Sequence, residues 1–136
     1  MADLEFFFDP ICPWAWITSR WVDEVQKQRS YDVTWRFISL RMINEDIGYT
    51  ESTEVHRQSH FVGTQIMRAA ALARAEDGNE AVGKLYTAVG TALHNNKQHD
   101  EMMNNPTFFL VDALSRANLN VDWAKGADNE EFDAII

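Results

Sequence analysis

Cysteine is nearly missing from these 136 residues: there is one, Cys12. A lone cysteine excludes an intrachain disulfide framework and leaves a thiol in need of a purpose. Basic residues are also scarce, 12 Lys and Arg against 21 Asp and Glu, for a net charge of −9. With no basic block to offset that charge, a phosphate backbone would be repelled, so nucleic acid is a poor partner. An anionic membrane surface is equally poor. No apolar run approaches the ~18 residues that a membrane helix needs. The opening stretch "MADLEFFFDP" has neither the basic leader nor the long apolar segment of a secretory signal. Three prolines and six glycines are scattered too thinly for a linker or a low-complexity tract. HExxH, P-loop and Gly-rich dinucleotide fingerprints are missing as well. These gaps predict a soluble cytoplasmic protein of one domain in a reducing compartment.

Apolar residues make up 46% of the chain, enough for a core that removes roughly two-thirds of the surface from water. The run Leu4-Glu5-Phe6-Phe7-Phe8, bounded by Asp9-Pro10, reads as a buried strand. Pro13 suits the first turn of a helix, where its missing N–H costs nothing. Trp14, Ile17, Trp21, Val22 and Val25 give that helix one apolar face, ending near Arg29-Ser30. Val33 to Ile38 alternates as a strand does. A crossover of this length predicts parallel strands with a right-handed connection. From residue 51 the period becomes helical. Val55, Val62, Ile66, Ala69, Ala70 and Ala73 fit a long helix from about Thr53 to Glu76, broken by Asp77-Gly78-Asn79. Val82, Leu85, Tyr86, Val89 and Leu93 trace the next, and Pro106 precedes a third through Phe108, Val111 and Leu114. A short turn follows Asp122, and Asp128-Asn129-Glu130-Glu131 reads as a capping box opening a last helix. The expected division is 1–50 for the β-α-β part, 51–127 for a helical insertion and 128–136 for the start of a returning helix. Two strands do not make an independently stable sheet. Another chain or a second copy is therefore expected to complete it, unless the chain is a piece of something longer.

Cys12 lies where the first strand hands over to the first helix. Unpaired N–H groups and the macrodipole of a helix N-terminus favour negative charge there. The thiolate is the nucleophile of disulfide exchange. A buried cysteine acting as a small apolar residue is the bland alternative, but it has no need of a helix start.

The sequence "FDPICPWAW", set between strand and helix, resembles the DsbA-type thioredoxin fold. It is most similar to the actinobacterial branch associated with mycothiol, including mycothiol-dependent nitroreductases and DsbA-like mycoredoxins. The similarity continues through "ITSRW", "SLRMINE" and "LYTAVGTALHN". It implies an α/β, thioredoxin-like fold with a helical insertion domain. It also implies thiol–disulfide oxidoreductase activity with Cys12 as the catalytic nucleophile, and mycothiol or another low-molecular-weight thiol as co-substrate. Mixed disulfides of that thiol are the implied partners, and no permanently bound cofactor is implied. Two departures stand out. Redox-active members carry Cys-Pro-x-Cys, and this chain has Ala15 at the second position, as in a monothiol variant. The cis-proline loop and C-terminal strands of the fold are absent, since the prolines fall only at 10, 13 and 106. "CPWAW" also resembles the Ser-Pro-aromatic-Ala-aromatic motif of kappa-class glutathione transferases and 2-hydroxychromene-2-carboxylate isomerases, with Cys12 in place of the serine. That is the rival enzyme reading. A non-catalytic interaction domain is the third.

The resemblance implies that Pro13, Trp14 and Ala15, next to Cys12, help bind the thiol. Trp14 is expected near the sulfur, able to stack on a flat substrate or simply to sit exposed at a helix start. Trp16 is expected to pack inward. Asn44 lines the groove by resemblance and is a turn residue on its own merits. His94 ends a helix of the insertion, where it can overhang the cysteine and orient a substrate, or cap its own helix. His56 and His60 at i, i+4 supply half a zinc site with no third ligand, so no metal is expected.

Overall fold

The computed structural model describes residues 3–47 and 54–136, apart from the side chains of Asp46 and Ile47. The expected helix start at Thr53 and the division at residues 50 and 51 lie outside the described residues. Strands β1 (Leu4–Phe8) and β2 (Val33–Phe37) pair in parallel, Leu4 opposite Val33 and Phe8 opposite Phe37. The crossover between them is helix α1 (Pro13–Gln28), with Cys12 as N-cap and Pro13 in the first turn. It ends at Arg29, whose backbone turns extended. The helices that follow are α2 (Leu40–Ile47), α3 (Glu54–Asp77), α4 (Asn79–Gly90), α5 (His99–Asn104) and α6 (Pro106–Arg116). A π-helical turn, Thr91–Asn95, extends α4, and two 3-10 segments, Val121–Asp128 and Glu130–Ile135, close the chain. This is a helix-dominated α/β arrangement with a thioredoxin-like β-α-β start.

Side-chain chemistry sets the boundaries. Gly78, at φ 90, makes the break between α3 and α4 in a backbone region that glycine enters freely. Asn105 caps α6 by accepting the Phe108 N–H at 3.1 Å, just ahead of Pro106. Two local expectations need correction, and one helix went unread. Helix α2 arises because the Ser39 hydroxyl accepts the Met42 N–H at 3.2 Å, so Asn44 is helical rather than a turn residue. Helix α5 carried too short a pattern to read. At the end of the chain the capping residue is Asn129 rather than Asp128, its Oδ1 accepting the Glu131 N–H at 3.1 Å, and it opens a 3-10 segment.

The sheet is buried on one face. Phe6 and Phe8 lie beside Trp35 and Phe37 under the helices, with edge-to-face contacts between ring centroids at 5.6–6.2 Å. On the other face Arg36 bonds Glu5 at 2.6 Å and Phe7 is 53% exposed. β1, read from the sequence as a buried strand, is thus buried on one face and exposed on the other. The two edges also differ. On the outer edge of β2, Asn79 accepts the Trp35 N–H at 2.8 Å and donates to the Val33 carbonyl at 2.7 Å, while Arg74 donates to the Trp35 carbonyl. Those side chains stand in for a neighbouring strand. In β1, Leu4 donates to Asp32 and Phe8 accepts from Ile38. By the alternation of a parallel ladder, Glu5 and Phe7 point their N–H and C=O groups the other way. Among the described residues nothing pairs with that edge.

The helical core forms around α3, where buried Ala69, Ala70, Ala71 and Ala73 let neighbouring segments approach closely. Arg68, also buried on α3, holds the end of the chain: it binds Asp133 through two nitrogens at 2.7 and 2.9 Å and the Ala127 carbonyl at 3.2 Å.

Asn79→Ala is expected to leave one donor and one acceptor of β2 unpaired. Each carries a penalty of about 1–3 kcal/mol, so a loss of stability of about 2 kcal/mol or more is expected, measured by urea unfolding.

Candidate active site

The last residues of β1 and the first turn of α1 build the site. Phe8 is buried and aligned by pairing with β2. After it the chain turns tightly: the Cys12 N–H donates to the Asp9 carbonyl at 3.0 Å, and the Trp16 N–H to the Cys12 carbonyl at 3.1 Å. The half-buried Cys12 thus stands at the N-cap, and its Sγ accepts the Ala15 N–H at 3.5 Å. An N–H aimed at sulfur from the first helical turn supports negative charge on it. Pro13 and Trp14 are exposed beside the thiol, Trp14 at 77%.

Trp16 faces inward and is buried. Its Nε1 donates to Asn95 Oδ1 at 3.1 Å, and the Arg20 guanidinium lies 4.0 Å over its ring. Helix α4 can pass this close only because residue 90 is glycine: a Cβ there would sit 2.1 Å from Trp16 ring carbons.

His94 comes from the π-helical turn after α4, a distortion frequent at functional sites. Its ring stacks on Trp16 at 5.8 Å, and its Nε2 lies 2.9 Å from the Pro10 carbonyl oxygen. A carbonyl only accepts, so Nε2 carries the hydrogen and Nδ1 keeps a lone pair. His94 therefore braces the thiol turn through Pro10 rather than bonding a carbonyl of its own helix. Burial pushes its pKa below the ordinary 6.5, against the pull of the Pro10 carbonyl.

Asn44 is joined to this cluster indirectly. Its Nδ2 donates to the Leu40 carbonyl at 2.7 Å, and the Leu40 N–H donates to Asp9 Oδ2 at 2.9 Å. Asp9 is the residue that sequence reasoning passed over, taking it for a strand boundary. It is buried, and its Oδ1 accepts the Ile11 N–H at 3.1 Å. Burial raises its pKa to about 6, against the two backbone N–H groups. The available signal was an acid between an aromatic strand and a Cys-Pro helix start. Elsewhere, the His56 and His60 rings stack at 6.4 Å. Among the described residues no group of three or more potential ligands gathers, and no helix is long and apolar enough to cross a membrane.

Similarity to known proteins agrees with this geometry. Residues 11–136 match the Rv2466c-like family, described as mycothiol-dependent nitroreductase Rv2466c. The chain belongs to that family. The match takes in Cys12, β2 and every described helix, and the family description is in line with the mycothiol-linked redox resemblance of the motif. The uncharacterized protein Rv2286c of Mycobacterium tuberculosis (strain ATCC 25618 / H37Rv) is 35% identical over 102 residues, 74% of this chain and 43% of that protein. The matched stretch is thus less than half of that relative's length.

The pH dependence of this Rv2466c-like chain carries a His94 component with a definite sign. The folded state resists protonating His94, and the unfolded chain does not. Stability from this group is full above 6.5 and is lost as pH falls through the lowered folded value. His94→Gln keeps a donor for Pro10 and removes the titration. Thermal unfolding at neutral and mildly acidic pH should show a smaller acid loss in the variant. His60, also lowered by burial, contributes equally in both proteins.

Proposed function

We propose that this chain is the thiol-bearing part of a DsbA-type, mycothiol-linked oxidoreductase that acts in the cytoplasm through Cys12 alone. The observation that carries the reading is Cys12 at the N-cap, its sulfur receiving the Ala15 N–H at 3.5 Å. The thiolate attacks the mycothiol sulfur of a mixed disulfide. A bond forms between Cys12 and mycothiol, the original S–S bond breaks, and the substrate leaves as a thiol after taking up a proton. A second mycothiol thiolate attacks the adduct, forms mycothiol disulfide and releases Cys12. Ala15 has no thiol, so this external step replaces internal resolution. Reduction of an organic substrate draws on the same chemistry, two thiols oxidised to one disulfide supplying two electrons. Trp14 offers an aromatic platform for such a substrate. Pro13, Ala15 and Asn44 flank the bound thiol, and the free Nδ1 of His94 orients it. The open edge of β1, which carries the exposed Phe7, takes a strand from another chain or a second copy.

Incubation with mycothiol disulfide should add one mycothiol to the protein mass, and Cys12→Ser should add none. Catalytic turnover without an adduct would favour a transferase or isomerase that only holds the thiol cofactor. Ala15→Cys should form an intramolecular disulfide with Cys12 across one helical turn and stop the adduct from accumulating. A variant that stays dithiol under oxidant would overturn the assignment of position 15. Sedimentation at micromolar concentration should find the isolated chain associated; a cooperatively unfolding monomer would remove the strand-pairing part.

A further inference from the structure

Asp9 is a buried carboxylate that the exchange reaction does not use. It is 1% exposed, and each oxygen takes a backbone N–H from a different part of the site. Oδ1 holds Ile11, the residue before Cys12, and Oδ2 holds Leu40, the first residue of α2. Its own carbonyl takes the Cys12 N–H at 3.0 Å. Leu40 in turn accepts from Asn44 at 2.7 Å. From the far side α3 presents Gly63, where a Cβ would stand 2.8 Å from Asp9 Oδ1 and 3.3 Å from Ile11 side-chain carbons. The helix has left room for the carboxylate, and no cation answers it among the described ion pairs.

We propose that Asp9 is a positioning residue for the Cys12 thiol: its carboxylate ties the thiol turn to the start of α2, and so to Asn44, as one unit. The assignment rests on the reading of Cys12 as the reacting group. A carboxylate accepts both N–H bonds at once. A carboxylic acid turns a hydroxyl toward one of them, and that bond is weakened. The clamp is therefore complete only when Asp9 is ionised, and burial delays ionisation to about pH 6. The titratable groups around it are few. Cys12 is on its own turn, and Tyr86 from α4 feels the Asp9 charge. His94 from the π-helical turn bonds Pro10, and His60 lies one turn before Gly63 on α3. No Lys or Arg contributes to its shift.

Alkylation of Cys12 by iodoacetamide reads the assignment directly, since the chain has no other cysteine. The wild-type rate, followed from pH 5 upward, should carry an inflection near the Asp9 value of about 6. Asp9→Asn, which keeps one acceptor and turns an amide N–H₂ toward the other donor, should lose the inflection. Above neutral pH it should react about tenfold more slowly, the order of loss expected from a small misplacement of a reacting group. Gly63→Ala leaves Asp9 in the sequence and crowds it from α3; it should slow Cys12 in the same direction. Equal or faster alkylation in both variants, with the inflection retained, overturns the proposal. If Asp9→Asn does not fold, Gly63→Ala and the wild-type profile decide it. Absence of a mycothiol adduct with these profiles intact would sink the exchange reaction and leave the positioning role standing.

Discussion

Tyr86 lying on Phe8, ring centres 4.0 Å apart and nearly parallel, is the contact on which the rest of the structure depends. A sheet of two strands has too little surface to persist alone, and this contact attaches it to the helices. Trp16 and Trp35 meet the same tyrosine edge-on at 5.6 and 5.8 Å. Aromatic pairs of this kind add about 0.5–1.5 kcal/mol each beyond the area they bury. Burial pushes the Tyr86 hydroxyl up to about 12, so the group stays neutral and brings no charge into the cluster.

The candidate site grows from the two ends of that cluster. Phe8 leads directly into Asp9 and the thiol turn, and Trp16 leads to His94 and Asn95. Residues about eighty positions apart in the chain thus grip the same few atoms around Cys12. The small residues at 63 and 90 belong to this arrangement, because each lets a helix come close to a group that supports the turn. Cys12 is half-buried, and Trp14 stands next to it in solvent. The proposed exchange would use this rigid base to hold a fixed line of attack for an incoming sulfur.

The sheet is finished on one edge and one face. Asn79 and Arg74 satisfy the outer edge of β2 with side chains, which blocks further pairing there. The outer edge of β1 and the apolar surface around Phe7 have no such cover among the described residues. The chain also aligns with less than half the length of its mycobacterial relative. Edge and face together are the side of the sheet that the described residues leave open.

Strand, helix, strand and the long helices were legible in the sequence because their signals are local. Alternation marks β2, a 3.6-residue period marks α3 and α4, Pro13 and Pro106 mark helix starts, and Gly78 marks a break. Cys12 was legible for the same reason, since its place between an aromatic strand and a proline-led helix is written in adjacent residues. Helix α2 was missed because one serine hydroxyl opens it, and Ser39 resembles any other serine until its partner Met42 is in place. The roles of Asp9, Asn79 and His94 could not be read in advance. A carboxylate becomes a clamp only when burial removes its water and leaves two backbone N–H groups as partners. An asparagine replaces a strand only when a helix sets it against that strand's edge. The sequence by itself determined the helix start and the place of Cys12 at its N-cap. Tertiary structure alone decided which distant groups hold Cys12 in place, because burial and hydrogen-bond satisfaction belong to the assembled fold.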